Sequence, residues 1–281
     1  MFRTIRNRLI CFLQKIISVL FQPLLSDALN SAMKMSFFSA PQPDCPVDLY
    51  IRQSFFYNTD GHYHDHYVEW RMRRITKVID IFGIDFFPGK RILELGGGIG
   101  DIGAFFASIG AAHVMSAEFR ATNRNFAALR YRDIPNFKSV FFDGEKDFTH
   151  LAADGKFDVI LVFGFIEVIS DINSVFDCCM KMSDNILLET MVCDSTNPDV
   201  LIYKDLSPEG IDNPSLGRSA RPSPAYIERH FTKNNWNFER YFSSDLNTPY
   251  HRYDWDHKND LSFKDGYRRF WHFYNPGNRN A

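Results

Sequence analysis

Apolar positions recur along the chain with two different periods, and where the period changes the predicted element changes too. At 100° per residue, Phe2, Ile5, Leu9, Phe12, Leu13, Ile16, Ile17, Val19 and Leu20 fall on one side of a helix. Arg3, Asn7, Arg8, Gln14, Lys15, Ser18 and Gln22 fall on the other, and Pro23 ends the pattern. A connector with Pro41, Pro43 and Pro46 covers 27–61. A second helical pattern runs from about His64 to Phe82, with Tyr67, Trp70, Ile75, Val78 and Ile79 turned inward. Glu69 there precedes Arg73 by one turn, and Pro88-Gly89 breaks the run.

From residue 91 onward, short apolar runs alternate with helical patterns. Strands are predicted at 91–95, 113–118, 139–142, 157–163 and 185–190, with helices at 101–108, 121–132 and 171–182 between them. Such alternation implies an α/β fold with a parallel sheet covered on both faces. Ser223 as N-cap and Pro224 at the first helical position start a last helix, to about Thr232. Two strands, 237–242 and 266–274, close the chain. The connections 194–222 and 247–265 exceed ordinary turns, and loops of such length carry function or stay disordered. The organisation expected is a basic amphipathic helix at 1–26, a helical extension or lid at 27–89, and one α/β domain at 90–281.

Composition narrows the function classes. With 45% hydrophobic and 23% charged residues the chain is globular. A net charge of −2 gives no global field for a nucleic-acid backbone, so nucleic acid is disfavoured as a partner unless folding assembles Arg73, Arg74 and Arg221 into a patch. The five cysteines (Cys11, Cys45, Cys178, Cys179, Cys193) form neither a disulfide framework nor a zinc pattern, which fits a reducing, cytoplasmic compartment. Residues 1–26 hold Arg3, Arg6, Arg8 and Lys15 but no acid. Gln14 and Lys15 argue against a transmembrane span, and Lys15 against a secretory leader. Peripheral contact with an anionic membrane, a mitochondrial-type presequence and a helix docked on its own domain remain as readings.

The chemistry is concentrated in "LELGGGIGDIG", Leu93 to Gly103. A glycine-rich turn between strand and helix lets a ligand approach the backbone, with helix N–H groups aimed at it. Read as Gly98, Gly100 and Gly103, the run matches a dinucleotide fingerprint and a nicotinamide oxidoreductase. Read as Glu94-x-Gly96-x-Gly98-x-Gly100, with Gly97 inside it, the run resembles the first motif of the class I S-adenosylmethionine-dependent methyltransferases. That resemblance implies a Rossmann-like, doubly wound sheet of seven strands, one antiparallel, with S-adenosylmethionine as cofactor. It implies that Glu94 and the glycines surround the methionine part, and that Glu118, 20 residues beyond Gly98, accepts the ribose hydroxyls. Asp143 in "VFFDGE" would read the adenine amino group. "FDVILVFGFIEVISD" resembles the fourth-strand motif and would set Phe163 to Glu167 against the cofactor.

The acceptor is less determined. No Asn/Asp-Pro-Pro-Tyr follows the fourth strand, which disfavours base amino-methylation of DNA, and Val168 stands where several O-methyltransferases carry histidine. The expected reaction is methyl transfer to an O or N atom of a small molecule. Alternatives are a tRNA-type RNA methyltransferase, a catalytically silent scaffold, or the oxidoreductase. Open parallel sheets bind ligands outside their carboxyl ends, so the acceptor pocket is expected over strands one, four and five. Its walls would be 62–67, Glu167, 194–222 and 251–257. Glu167 is the expected residue to orient or deprotonate the acceptor. His64 and His251 are the further bases, since an unperturbed imidazole pKa of about 6.5 suits neutral pH. No metal set is assigned, although "HYHDHY" spaces His62, His64 and His66 at period two.

Overall fold

β4 (Val159–Phe163) reads Val-Ile-Leu-Val-Phe, and all five residues are buried. A strand without a polar position has no face to give to water, so it must lie mid-sheet under helices on both sides. The computed structural model, which describes residues 65–142, 148–205, 218–260 and 266–278, places it there. The predicted helix at 1–26, the connector, His62, His64 and Asp143 lie outside the described residues.

β1 (Arg91–Leu95), β2 (His113–Glu118), β3 (Phe137–Phe141), β4, β5 (Asn185–Met191), β8 (Asn237–Tyr241) and β9 (Arg268–Tyr274) form one sheet in the order β3-β2-β1-β4-β5-β9-β8. β9 is antiparallel to both its neighbours, and the other pairs are parallel. Alternate side chains divide the core. Ile92, Val159, Leu161 and Leu187 pack under α1 (Asp65–Phe82), α2 (Asp101–Ser108) and α3 (Ala121–Arg130). Leu93, Ile160, Val162, Ile186 and Leu188 pack on the other face against α5 (Ile172–Met182) and α6 (Pro224–Lys233). A single turn, α4 (Thr149–Ala152), precedes β4. Asp171 caps α5 by accepting from the Ser174 amide, and Ser223 caps α6 in the same way through the Tyr226 amide, with Pro224 following as expected.

Helix α1 is built into the domain, because its Ile75 and Val78 are fully buried in the same cluster as the sheet. The connection 194–222 departs from expectation. It contains a two-stranded antiparallel ribbon, β6 (Leu201–Asp205) with β7 (Arg218–Pro222), separate from the main sheet. "LIYKD" and "RSARP" carry no period-two apolar pattern, so nothing in either segment alone marks a strand; they pair with each other, and β7 is buried against the turn after β4 through Ser219 and Ala220. The third strand also begins earlier than predicted, at Phe137 rather than Ser139. Among the described residues no helix is long and apolar enough to cross a membrane.

β9 carries two adjacent arginines that are almost fully buried, at 1% and 0% exposure. Arg269 donates to the carbonyls of Tyr253 (2.7 Å) and Trp255 (2.5 Å). Arg268 turns to the other face and bridges two carboxylates. Its Nη2 lies 2.7 Å from Glu167 Oε1, and its Nη1 lies 2.9 Å from Glu189 Oε1. Arg74 of α1 closes on the other oxygen of Glu189, and the Tyr253 hydroxyl donates to Glu189 at 2.8 Å. Trp70 Nε1 in turn donates to Tyr253 (2.7 Å). Glu167 also accepts from Thr190 Oγ1 and the Met191 amide. Helix α1, the turn after β4, β5, the 251–255 segment and β9 are thus tied through one network.

Burial alone would raise the Glu167 pKa, but Arg268, Arg221 and the hydrogen bonds outweigh it and hold the carboxyl at about 2. A folded value below the ordinary 4.5 means that this group stabilises the fold above pH 4.5 and that its contribution fades as pH falls toward 2. Glu167→Gln should therefore lower the unfolding free energy at neutral pH and flatten its decline between about pH 5 and pH 3. Arg268→Met strands two buried carboxylates and should cost about 3–5 kcal/mol in urea denaturation. A wild-type-like midpoint for Arg268→Met would show that the network does not hold the fold.

Candidate active site

The glycine turn leaves β1 with alternate residues in left-handed backbone: Gly96, Gly98 and Gly100 have φ of 70°, 56° and 79°. Side chains rarely tolerate that region, so these three positions require glycine for conformation. Gly97 and Gly103 require it for space instead. A Cβ on either would come within 2.8 Å of Glu94 Oε2. Beside Gly96 and Gly100 the room is taken by Phe165 and Phe137. At Gly98 alone among these five nothing lies within 4 Å. A ligand can reach the backbone of the turn from that side.

At the rim of this opening the Gly98 amide donates to Glu118 Oε2 (2.9 Å), and the Arg120 amide donates to Oε1 (2.7 Å). Glu118 ends β2 and is thereby fixed as a carboxylate facing the turn. Phe119 and Phe141, at the carboxyl ends of β2 and β3, are 46% and 52% exposed with ring centroids 6.2 Å apart. Arg124 stands 4.9 Å over the Phe141 ring and donates to the Glu118 carbonyl. The sequence reading missed all three. A signal was present in "SAEFR", where Phe119 directly follows the acid that ends β2; in "VFFD" nothing local separates the exposed Phe141 from the buried Phe142.

Glu94 sits beneath the turn, on its protein side. It accepts from Ser116 Oγ (2.8 Å) and the Gly103 amide (3.2 Å), and burial pushes its pKa up to about 7. The expectation of direct ligand contact is corrected accordingly: its side chain supports the turn from below. Phe163 is also turned into the core, 5.5 Å from the Phe270 ring and 5.5 Å from the Arg74 guanidinium. The residue exposed to the β4 end is Gly164 (φ 66°), whose missing side chain would meet Arg74 Nη2 at 3.1 Å and Trp70 at 3.8 Å. Trp70 and Arg74 therefore roof the carboxyl end of β4, with Arg74 stacked 3.5 Å over the Trp70 ring.

Glu167 does not serve as the expected acceptor base. With a pKa of about 2 and both oxygens bound to Arg268, it is a weak base committed to an ion pair. His251 is brought to the site: its ring lies 4.1 Å from Trp70, and Nδ1 is 3.3 Å from Thr248 Oγ1. The segment around it runs inward, with Tyr253 and Trp255 buried, so 251–255 is a wall of the region. His64 and Asp143 lie outside the described residues. Among the described residues no three His, Cys, Asp or Glu side chains gather as a metal set. A polar cavity of about 230 Å³ between Asn185, Glu239, Tyr241 and His272 opens at the amino end of β5, the opposite end of the sheet from the glycine turn.

No family model matches the chain, and no curated protein matches it by sequence. Solved structures do match its shape. The N-terminal domain of EvdMO1, crystallised with SAH bound, superposes with a TM-score of 0.54 at 16% identity over 72% of this chain and 79% of that one. Magnesium protoporphyrin IX methyltransferase (ChlM) from Synechocystis PCC 6803, also with SAH bound, gives a TM-score of 0.50 at 11% identity over 78% and 89%. With the strand order and the glycine turn already described, these likenesses identify the fold as that of the class I S-adenosylmethionine-dependent methyltransferases.

Proposed function

We propose that the chain binds S-adenosylmethionine at the glycine turn and transfers its methyl group to an O or N atom of a small-molecule acceptor. The observation that carries this reading is the Gly98–Glu118 pair. The turn is open only at Gly98, and the acid beside it is held by two backbone amides, Oε2 by that of Gly98 in the turn and Oε1 by that of Arg120. Glu118 would accept the ribose hydroxyls, and Phe119 and Phe141 offer exposed aromatic faces for the adenine. The glycines Gly96, Gly97, Gly98 and Gly100 leave room for the methionine part, with Glu94 supporting them. When bound, the cofactor supplies an electrophilic sulfonium methyl group. What remains for the protein is positioning and exclusion of water. Trp70 and Arg74 cover the β4 end, and His251, its ring 4.1 Å from that of Trp70, takes the acceptor's proton when the acceptor must lose one. The acidic balance of the chain, −2, favours a small acceptor over RNA.

Calorimetry should show S-adenosylmethionine and its demethylated product binding, and NAD not binding. Glu118→Ala should weaken that binding about 10- to 100-fold, the loss of a charge-assisted hydrogen bond of about 1.5–3 kcal/mol. Gly98→Val should abolish it, since the side chain would fill the one open side of the turn. Binding of NAD in place of S-adenosylmethionine would refute the reading.

Labelled methyl transfer into fractionated lysate would identify the acceptor class, and label recovered in RNA would exclude the small-molecule assignment. With that acceptor, His251→Gln should slow transfer about 100-fold or more while cofactor affinity stays unchanged. Undiminished turnover would remove His251 from the mechanism.

A further inference from the structure

Glu94 is a buried ionisable group beside the glycine turn that the proposed reaction leaves without a chemical task. It is 3% exposed, and a Cβ placed on Gly97 would lie 2.7 Å from its Oε2, so only the backbone of the turn separates the carboxyl from the ligand side. The groups facing it are few. Ser116 of β2 and the Gly103 amide of α2 donate to it. Asp101, at the start of α2, opposes its ionisation, and Arg74 of α1 favours it. Asp101 is itself held by the hydroxyl of Tyr131, the residue after α3, and by Arg71 of α1 at 3.5 Å. Glu118 lies across the turn, bound to the Gly98 amide. Burial is the largest influence and pushes the Glu94 pKa up to about 7, so near neutrality both protonation states are populated.

We propose that Glu94 couples cofactor binding to proton release: S-adenosylmethionine at the glycine turn drives the proton off the Glu94 carboxyl into solvent. The inference rests on the cofactor assignment above. Its sign follows from two conditions. The carboxyl is already dehydrated, so a ligand landing on the far side of the turn strips no further water from it. The effect that remains is Coulombic, and across a thin, dry layer of backbone a cation favours the carboxylate. The sulfonium gives S-adenosylmethionine one positive charge more than its demethylated product. Preference for the charged cofactor over the product should therefore grow as pH rises, with Glu94 as a positioning residue that helps release the spent product.

The test titrates the full-length protein with S-adenosylmethionine and with S-adenosylhomocysteine at about pH 6 and pH 8, in two buffers of different ionisation enthalpy. In the wild type, the ratio of the two affinities should shift toward S-adenosylmethionine by about threefold or more between these pH values, with net proton release. In Glu94→Gln the ratio should not move. The amino group common to both ligands titrates alike in the two proteins, so the comparison isolates Glu94. Ser116→Ala, which deletes a hydrogen bond favouring the carboxylate, should move the transition to higher pH and provides the measurement if Glu94→Gln does not fold. Equal ratios at both pH values in the wild type would overturn the coupling while leaving the cofactor assignment intact. Failure of either ligand to bind at any pH would overturn both.

Discussion

Arg268 is the residue on which the described arrangement depends. It is an internal cation in the only antiparallel strand of the main sheet, and it holds Glu167 from the turn after β4 and Glu189 from β5. An internal guanidinium is costly to desolvate, and it is retained only where several acceptors meet it in good geometry. Here the same network reaches Arg74 and Trp70 on α1 and Tyr253 on the long β8–β9 connection. The carboxyl ends of β4 and β5 are therefore not free to spread. The roof over Gly164, formed by Trp70 and Arg74, is positioned by the same ions that close the core.

Three glutamates near the carboxyl ends of β1, β2 and β4 illustrate how environment divides one chemistry. Glu167 is surrounded by guanidinium groups and is held ionised down to about pH 2. Glu94 is buried with two neutral donors and an adjacent aspartate, and titrates near 7. Glu118 lies at the rim, its oxygens bound to backbone amides that fix its direction. The first ties elements together, the second lies under the turn, and the third faces the opening at Gly98. Only the third offers a ligand a fixed carboxylate.

Much of the fold was legible in the chain. Buried parallel strands are apolar over most of their length, so "VILVF" marks itself and "RILEL" does so apart from Arg91 and Glu94, and the helices between them carry a 3.6-residue period. The glycine turn was legible for a similar reason. Left-handed backbone at Gly96, Gly98 and Gly100 excludes almost every other residue, so local sterics write that requirement into the sequence. Glu118 was legible because strand length fixes where the second strand ends. The ribbon of β6 and β7 was not, because its segments have no apolar period and form through pairing and burial against distant residues.

The side-chain environment around the carboxyl ends of β1 and β4 was decided by tertiary structure alone. As a letter in the chain, Glu167 is a carboxylate ending a cofactor motif; its partner Arg268 lies 101 residues away, and only their meeting turns a candidate base into a structural ion pair. Glu94 likewise reads as a ligand-facing acid until Ser116, 22 residues on, and Gly103 place it beneath the turn. His251 gained its place at the roof through Trp70, which is 181 positions distant in sequence order. Periodicity and backbone sterics are local, so the sequence determined the strands, the helices and the glycine turn. Charge state, burial and side-chain direction depend on neighbours that only the folded chain brings together.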